Sequence, residues 1–450
     1  MEYELRVIVE KVAVSSQEVV KRDTLKIYDV KRPESILDLG LRHTEQISLL
    51  EKVQNAVLAE QSVLIEPETK VCLQCGQKLK KNGHRSSKFH AIFSDHEVRI
   101  QRHRCNNPEC NWHSSPTVTS LFGTSIHPDL AKLQCEQGAL YSYREAESNL
   151  ERVNCQPRGI NNHTQVKRIT GKVGEVLATG NFQIPAESEC AAPATELIVQ
   201  VDGGHIPTTE QQKRSFEALA AIVYKPENIK EIDRNHRQIV NKTCVASAEL
   251  DQLKTIKAYL INAAKKQGFT ESTKVIGLAD GAKNCWSVLS VLLPHCQTLE
   301  CILDWFHIAK KFQNVNQALG SAFEKSLKSA KWELWHGKAD ESLAKLSLLR
   351  ENVNDKEKKA RIKGLYDYLK QNQKYLVNYH QREQTHQTYT SQVAESHIDS
   401  LINARHKRTG KMQWTREGAH QVLQIRATMA CNHWERQWQN TVLSALGAVA

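Results

Sequence analysis

The segment Lys274–His307, KVIGLADGAKNCWSVLSVLLPHCQTLECILDWFH, most narrows what this chain can fold into. Two apolar runs, Val275–Ala279 and Cys301–Leu303, each stop on an aspartate, Asp280 and Asp304. Between them Ala282–Leu293 carries helical spacing, so the unit reads strand, helix, strand. Upstream, Leu197–Val201 ends the same way on Asp202. Apolar runs of this length, bounded by turn residues, suit strands buried on both faces of a helix-covered sheet. The ligand crevice of such a sheet opens beyond the carboxyl ends of its strands. Three strands that end in Asp would crowd carboxylates into one crevice, where like charges repel unless a cation lies between them. The pattern predicts a metal-dependent active site.

Phe216–Tyr224 and Gln238–Ser247 read as further strands and Leu250–Gln267 as a helix. The resulting order β-β-β-α-β-α-β predicts an α/β catalytic domain with a ribonuclease-H-like mixed sheet, its first part spanning 195–309. Residues 310–388 read as an all-helical insertion rich in Lys and Glu, with Trp332 and Trp335. Residues 389–450 hold a long helix over Thr390–Arg408 and a tail helix over Arg416–Leu446. Phosphodiester cleavage needs a nucleophile at neutral pH and stabilisation of the leaving oxygen. Two divalent ions about 3.5–4 Å apart supply both, held by hard carboxylate oxygens. Asp202 is expected to bridge them, with Asp280 as second ligand and Glu395 as third. No thiolate belongs to this set, so Mg2+ (or Mn2+) fits better than zinc. His205 is a further candidate for lining the site. Arg405, Lys407, Arg408 and Lys411 follow Glu395 closely enough to grip flanking phosphates.

Ahead of this region lie three smaller parts. Residues 1–65 read as strands and a helix without chemistry; 66–120 contain Cys72-x2-Cys75-Gly76 and Cys105-x4-Cys110. That spacing lets two turns present four thiolates to a structural, tetrahedral Zn2+ in a small zinc ribbon, with His103 and His113 near enough to replace a ligand. Residues 121–180 read as three helices. The last carries Val166, Ile169, Val173 and Leu177 on one face and Gln165, Lys167, Arg168 and Lys172 on the other, which suits a DNA-binding helix-turn-helix. Sixty-one Lys and Arg against 50 Asp and Glu leave a net charge of +11, in keeping with a nucleic-acid partner. No apolar run of about 18 residues suggests a membrane span. Twelve cysteines in 450 residues, four of them at metal spacing, suit a reducing cytoplasm.

Five segments together resemble a family: VDGGHI (Val201–Ile206), LADGAKNCW (Leu278–Trp286), LDWFHIAKK (Leu303–Lys311), VAESHIDSLINARHKRTGKMQW (Val393–Trp414) and GAHQVLQIRA (Gly418–Ala427). The chain resembles bacterial insertion-sequence transposases with a DDE catalytic domain, most closely the Kra-type branch related to the Mutator-like group. The resemblance implies a catalytic triad of Asp202, Asp280 and Glu395. It also implies accessory roles for Asp304 and His307, which match an Asp-x2-His pair of the related superfamily. The implied activity is metal-dependent 3′-end cleavage and strand transfer on double-stranded DNA by a homo-oligomer, in the cytoplasm at the bacterial nucleoid. Two rival readings are a zinc-bearing DNA-binding regulator on an inactive scaffold, and a ribonuclease-H-like nuclease or resolvase.

Overall fold

The structure, a computed structural model, describes residues 3–65, 70–233, 236–391, 400–408 and 412–447. Packing divides the chain into two compact units, Met1–Thr170 with Trp438–Ala450, and Gly171–Gln437. The division falls inside one continuous helix.

In the first unit, β1 (Tyr3–Val12) and β2 (Val19–Val30) form an antiparallel hairpin, followed by α1 (His43–Val63). Alternation in β1 predicts one buried face. Among the described residues the hairpin has no third strand, and Tyr3 and Leu5 stay more than half exposed. Next comes a three-stranded antiparallel sheet of β3 (Leu79–His90), β4 (Asp95–Cys105) and the short β5 (His113–Ser114). Val98 and Ile100 of β4 are buried with Val118 of α2 (Val118–Phe122). Three helices follow: α3 (Pro128–Leu140), α4 (Tyr143–Asn154) and α5 (His163–Phe182). Ser142 and Glu145 form a capping box that starts α4. The buried Arg158, just before α5, donates to the Ile92 carbonyl at 2.7 Å and to Asp95, tying the helical cluster to the β3–β4 turn. α5 ends at Phe182, two residues beyond the 121–180 stretch expected to be helical.

The second unit is a mixed α/β body around a five-stranded sheet of order β10-β7-β6-β11-β12. Its strands are β6 (Glu196–Pro207), β7 (Ser215–Tyr224), β10 (Thr243–Ser247), β11 (Lys274–Ala279) and β12 (Thr298–Leu303). β6 pairs antiparallel with β7 and parallel with β11, and β11 pairs parallel with β12. The strand expected over Gln238–Ser247 is broken in two. Its first part, β9 (His236–Ile239), forms a separate hairpin with β8 (Ile229–Asp233), and only the second, β10, joins the sheet.

Near-continuous apolar strands let both sheet faces pack helices. One face takes α6 (Lys254–Lys266) and α7 (Lys283–Leu289). α7 passes into a 3-10 turn at Ser290–His295, ahead of the helical end expected at Leu293, because Pro294 cannot continue an α-helix. The other face takes α8 (Trp305–Leu319), α9 (Glu324–Trp335), α10 (Ala339–Glu351), α11 (Lys356–Gln371) and α12 (Tyr379–Gln384). It also takes α13 (residues 400–406) and α14 (Arg416–Ala430). Gly204 of β6 permits that cover, since a Cβ there would sit 2.7 Å from Ile402 of α13. The expected tail helix over Arg416–Leu446 is interrupted after Ala430, where Asn432 takes a positive φ of 58°.

Two histidines in this helical cover make its stability pH-dependent. His406 hydrogen-bonds the Ile402 carbonyl through Nδ1 at 2.9 Å, and burial pushes it down to about 3. His420 accepts the Ala248 N–H at Nδ1, and burial pushes it down to about 4. Between those values and the ordinary 6.5 the unfolded chain binds more protons than the folded one, so stability falls as pH drops through this window. At 1.36 kcal/mol per pKa unit, the two together cost on the order of 4 kcal/mol at about pH 5. Asp304 works in the opposite sense, because burial raises its carboxyl. The expected result is a clearly lower urea midpoint near pH 5 than near pH 7.5, with a smaller drop in His420→Gln. An equal midpoint at the two pH values would contradict it.

Candidate metal centres

The first centre is the group of four cysteines. Cys72, Cys75, Cys105 and Cys110 bring their Sγ atoms within 4.8 Å of one another, the one such group of three or more His, Cys, Asp or Glu ligands among the described residues. Cys75 and Cys105 are 3.3 Å apart and Cys72 and Cys110 are 3.8 Å apart. A tetrahedron with Zn–S bonds of about 2.3 Å has S–S edges of about 3.8 Å, so the spacing fits a four-thiolate metal such as zinc. Backbone turns set it: Gly76 N–H bonds the Cys72 carbonyl, Cys110 N–H bonds the Asn107 carbonyl, and Asn107 N–H points at Cys105 Sγ. Burial pushes the Cys72 thiol up, but N–H groups of Gln74 and Cys75 and the neighbouring thiols outweigh it and hold it at about 7. His103 and His113 are not members of this group.

The second candidate is a row of aspartates across three neighbouring strands of the sheet, β6, β11 and β12. In the register, Val201 of β6 pairs with Ala279 of β11, and Ala279 pairs with Leu303 of β12. Asp280 and Asp304 follow directly after the last residues of β11 and β12, while Asp202 lies inside β6, which does not end there as expected but continues to Pro207 along β7. Neighbouring strands lie about 4.8 Å apart, so Asp202 and Asp280 follow directly adjacent positions. Both are partly accessible, and each accepts a local N–H: Gly203 to Asp202 at 2.8 Å, Ala282 to Asp280 at 2.9 Å. Cys285, fully buried on α7, reports the convergence. Burial pushes its thiol up, and the carboxylates of Asp280, Asp202 and Glu217 push it further. Both effects favour its neutral form.

Asp304 stands apart in kind. It is 1% exposed, and its carboxylate is engaged structurally. It caps α8 through Phe306 N–H at 3.1 Å and takes Ser391 N–H at 2.8 Å and Ser391 Oγ–H at 2.5 Å. Burial raises its carboxyl, partly countered by Ser391 and by His307, whose Nε2 lies 3.6 Å away. His205 is exposed on β6 and pairs with Glu217. Strand alternation sets it on the α7 side, opposite the face that Asp202 shares with Gly204 and Ile206. Glu395 and Lys411 lie outside the described residues.

Sequence reasoning missed two residues that bear on the Asp280 turn and one that bears on α7. Tyr368 of α11 donates its hydroxyl to the Asp280 carbonyl at 2.8 Å. Asn372, one turn later, accepts Trp286 Nε1–H at 3.0 Å. Between them Gly281 has φ +99°, and a Cβ there would lie 2.8 Å from Asn372 Nδ2 and 2.9 Å from the Tyr368 ring. The helical insertion thus clamps the Asp280 turn, which nothing local in α11 announces. Glu217 is the third: Asn284 Nδ2 donates to it at 2.6 Å. A carboxylate in the otherwise apolar run SFEALAAIVY was the signal for it.

On α5, Lys167, Arg168 and Lys172 are exposed and Gln165 is half-buried, accepting Arg168 Nε–H at 2.9 Å; Val166, Val173 and Leu177 are buried. The expected basic ridge is therefore solvent-facing. Arg405 is not. It is fully buried, its guanidinium 4.6 Å from the Trp414 ring centre and one N–H 3.1 Å from Met412 Sδ, so it packs α13 instead of meeting phosphate. Lys407 is exposed and Arg408 half-buried. No helix among the described residues is long and apolar enough to cross a membrane.

No curated protein matches the sequence. Residues 124–439, well over half the chain and including every strand of the five-stranded sheet, match a family model whose description is Uncharacterised protein family (UPF0236). On that match the chain belongs to the uncharacterised protein family UPF0236.

Proposed function

We propose that the protein is a DNA transposase that cuts and joins DNA with divalent metal held by Asp202, Asp280 and Glu395. The observation that carries the reading is the aspartate row: Asp202 and Asp280 follow paired positions on adjacent parallel strands, β6 and β11. The strand order, with β6 central between an antiparallel and a parallel neighbour, supports a ribonuclease-H-like sheet. The donor set supports hard-metal chemistry, since burial and the carboxylates favour the neutral form of the nearby Cys285. Glu395 enters as third ligand on the sequence resemblance alone.

Mg2+ (or Mn2+) bound there would lower the pKa of water and stabilise the leaving 3′ oxygen. The chain's own residues prepare that site. Gly203 and Ala282 N–H groups orient the two carboxylates. Asp304 holds Ser391 and the start of α8, and His307 lies beside it as an accessory group. The four cysteines would carry structural Zn2+ as a zinc ribbon. The basic ridge of α5, as a helix-turn-helix, would bind the element's double-stranded ends through Gln165, Lys167, Arg168 and Lys172, with Lys407 and Arg408 gripping phosphates further on. Joining two ends implies a homo-oligomer on DNA at the bacterial nucleoid.

The test is strand transfer: purified protein, Mg2+, and duplexes carrying the ends of the DNA segment that encodes it. The expected product is a free 3′ end joined to target DNA. Binding without cleavage would favour a regulator, and cleavage of branched DNA without end sequence would favour a nuclease or resolvase. Tyr368→Phe removes one hydrogen bond, worth about 1 kcal/mol, so the protein should stay folded. Because that bond holds the Asp280 turn, the variant is expected to need about 10-fold more Mg2+ for half-maximal cleavage. An unchanged Mg2+ dependence would show that the clamp does not serve the site.

A further inference from the structure

A cleft of about 510 Å³ opens between α8 and α9, within the ~300–1,000 Å³ of small-ligand sites. Its apolar surface comes from Phe306, Phe312 and Leu327, and Lys310 and Lys331 stand in its wall with Asn316. No acidic residue lines it. Two of its polar groups make neither an ion pair nor a hydrogen bond among the described residues, Lys331 through its ammonium and Asn316 through its Oδ1. Lys331 is half-buried over the Trp305 ring, 5.5 Å from its centre. Burial alone pushes its ammonium down, and no carboxylate among the described residues pairs with it. Asn316 Oδ1 is buried without a hydrogen-bond donor. Lys310, whose amine lies 5.6 Å from the Phe306 ring centre, adds a second cation at the same mouth.

Buried cations are normally paired and buried acceptors normally bonded. A ligand that satisfies this cleft therefore brings an anion for Lys331 and Lys310, an N–H donor for Asn316, and a flat apolar body for Phe306, since Phe312 is buried beneath. We infer that the α8–α9 cleft binds one nucleotide unit, with its base against Phe306, a base N–H on Asn316 Oδ1 and its phosphate on Lys331 and Lys310. Bases stack on aromatic side chains without regard to sequence, and lysines hold the attached phosphate. The cleft is built from residues other than the aspartate row, so the inference stands or falls separately from the metal reading.

The test is calorimetric titration of full-length, zinc-loaded protein in Mg2+-free buffer, repeated with Asp280→Asn protein. The probes are deoxyadenosine 5′-monophosphate, deoxyadenosine and inorganic phosphate. The monophosphate is expected to bind at least about 10-fold more tightly than either fragment, and Lys331→Met to weaken it about 10-fold. Asn316→Leu should weaken it several-fold, and Asp280→Asn should leave it unchanged. Competition by a duplex with a single-stranded overhang, but not by a blunt duplex, would identify a DNA strand as the source; competition by neither would identify a free nucleotide. Phosphate binding as tightly as the monophosphate would overturn the inference in favour of a plain anion site. So would full affinity in Lys331→Met; should that variant misfold, full affinity in Lys310→Gln together with Asn316→Leu has the same force.

Discussion

Replacing Asp280 with asparagine is expected to lower DNA cleavage by on the order of 10³-fold while leaving the protein folded. The asparagine Oδ1 can still accept the Ala282 N–H, and Tyr368 bonds the backbone carbonyl, which the substitution leaves in place. What disappears is one unit of negative charge from the aspartate row, and with it a hard oxygen ligand. Asp202→Asn should behave alike, because Gly203 N–H has the same relation to its side chain. Glu395→Gln should match both. Near-normal cleavage by Asp280→Asn, with circular dichroism and melting unchanged, would remove Asp280 from the chemistry.

The second large effect concerns zinc. Cys105→Ser is expected to abolish stoichiometric zinc and to unfold the turns that carry residues 72–76 and 105–110. Apparent zinc binding in such sites is about 10–16 kcal/mol, more than the small three-stranded sheet could replace. The local core there is thin: Val98, Ile100 and Val118 are its fully buried members among the described residues. Elemental analysis should find one zinc per chain in the wild type and none in the variant. Binding to element ends should fall sharply, while Mn2+ binding at the aspartate row persists. A variant that keeps one zinc per chain would show that the four thiols are not its ligands.

The parts that could be read from sequence are those where local pattern and tertiary environment agree. Leu197–Val201 and Val275–Ala279 are apolar at every or nearly every position because both sheet faces are covered; Asp280 does mark the end of β11, whereas β6 runs on past Asp202 to Pro207 in its pairing with β7. The cysteine spacing was equally legible, since a turn of fixed size sets the thiol separation. Legibility failed where distant residues decide. Arg405 sits in a basic run and reads as solvent-facing, yet Met412 and Trp414 fold back over it. The β1–β2 hairpin alternates like a half-buried sheet, but its apolar residues remain largely exposed. Tyr368 is 88 residues from Asp280, and no periodicity in α11 points to that contact.

The most direct measurement of the central claim is a Mn2+ titration followed by electron paramagnetic resonance, with zinc-loaded protein bound to an element end. The account predicts tight Mn2+ binding in the wild type, lost in both Asp202→Asn and Asp280→Asn, with zinc content constant. Equal Mn2+ stoichiometry and affinity in all three proteins would contradict it.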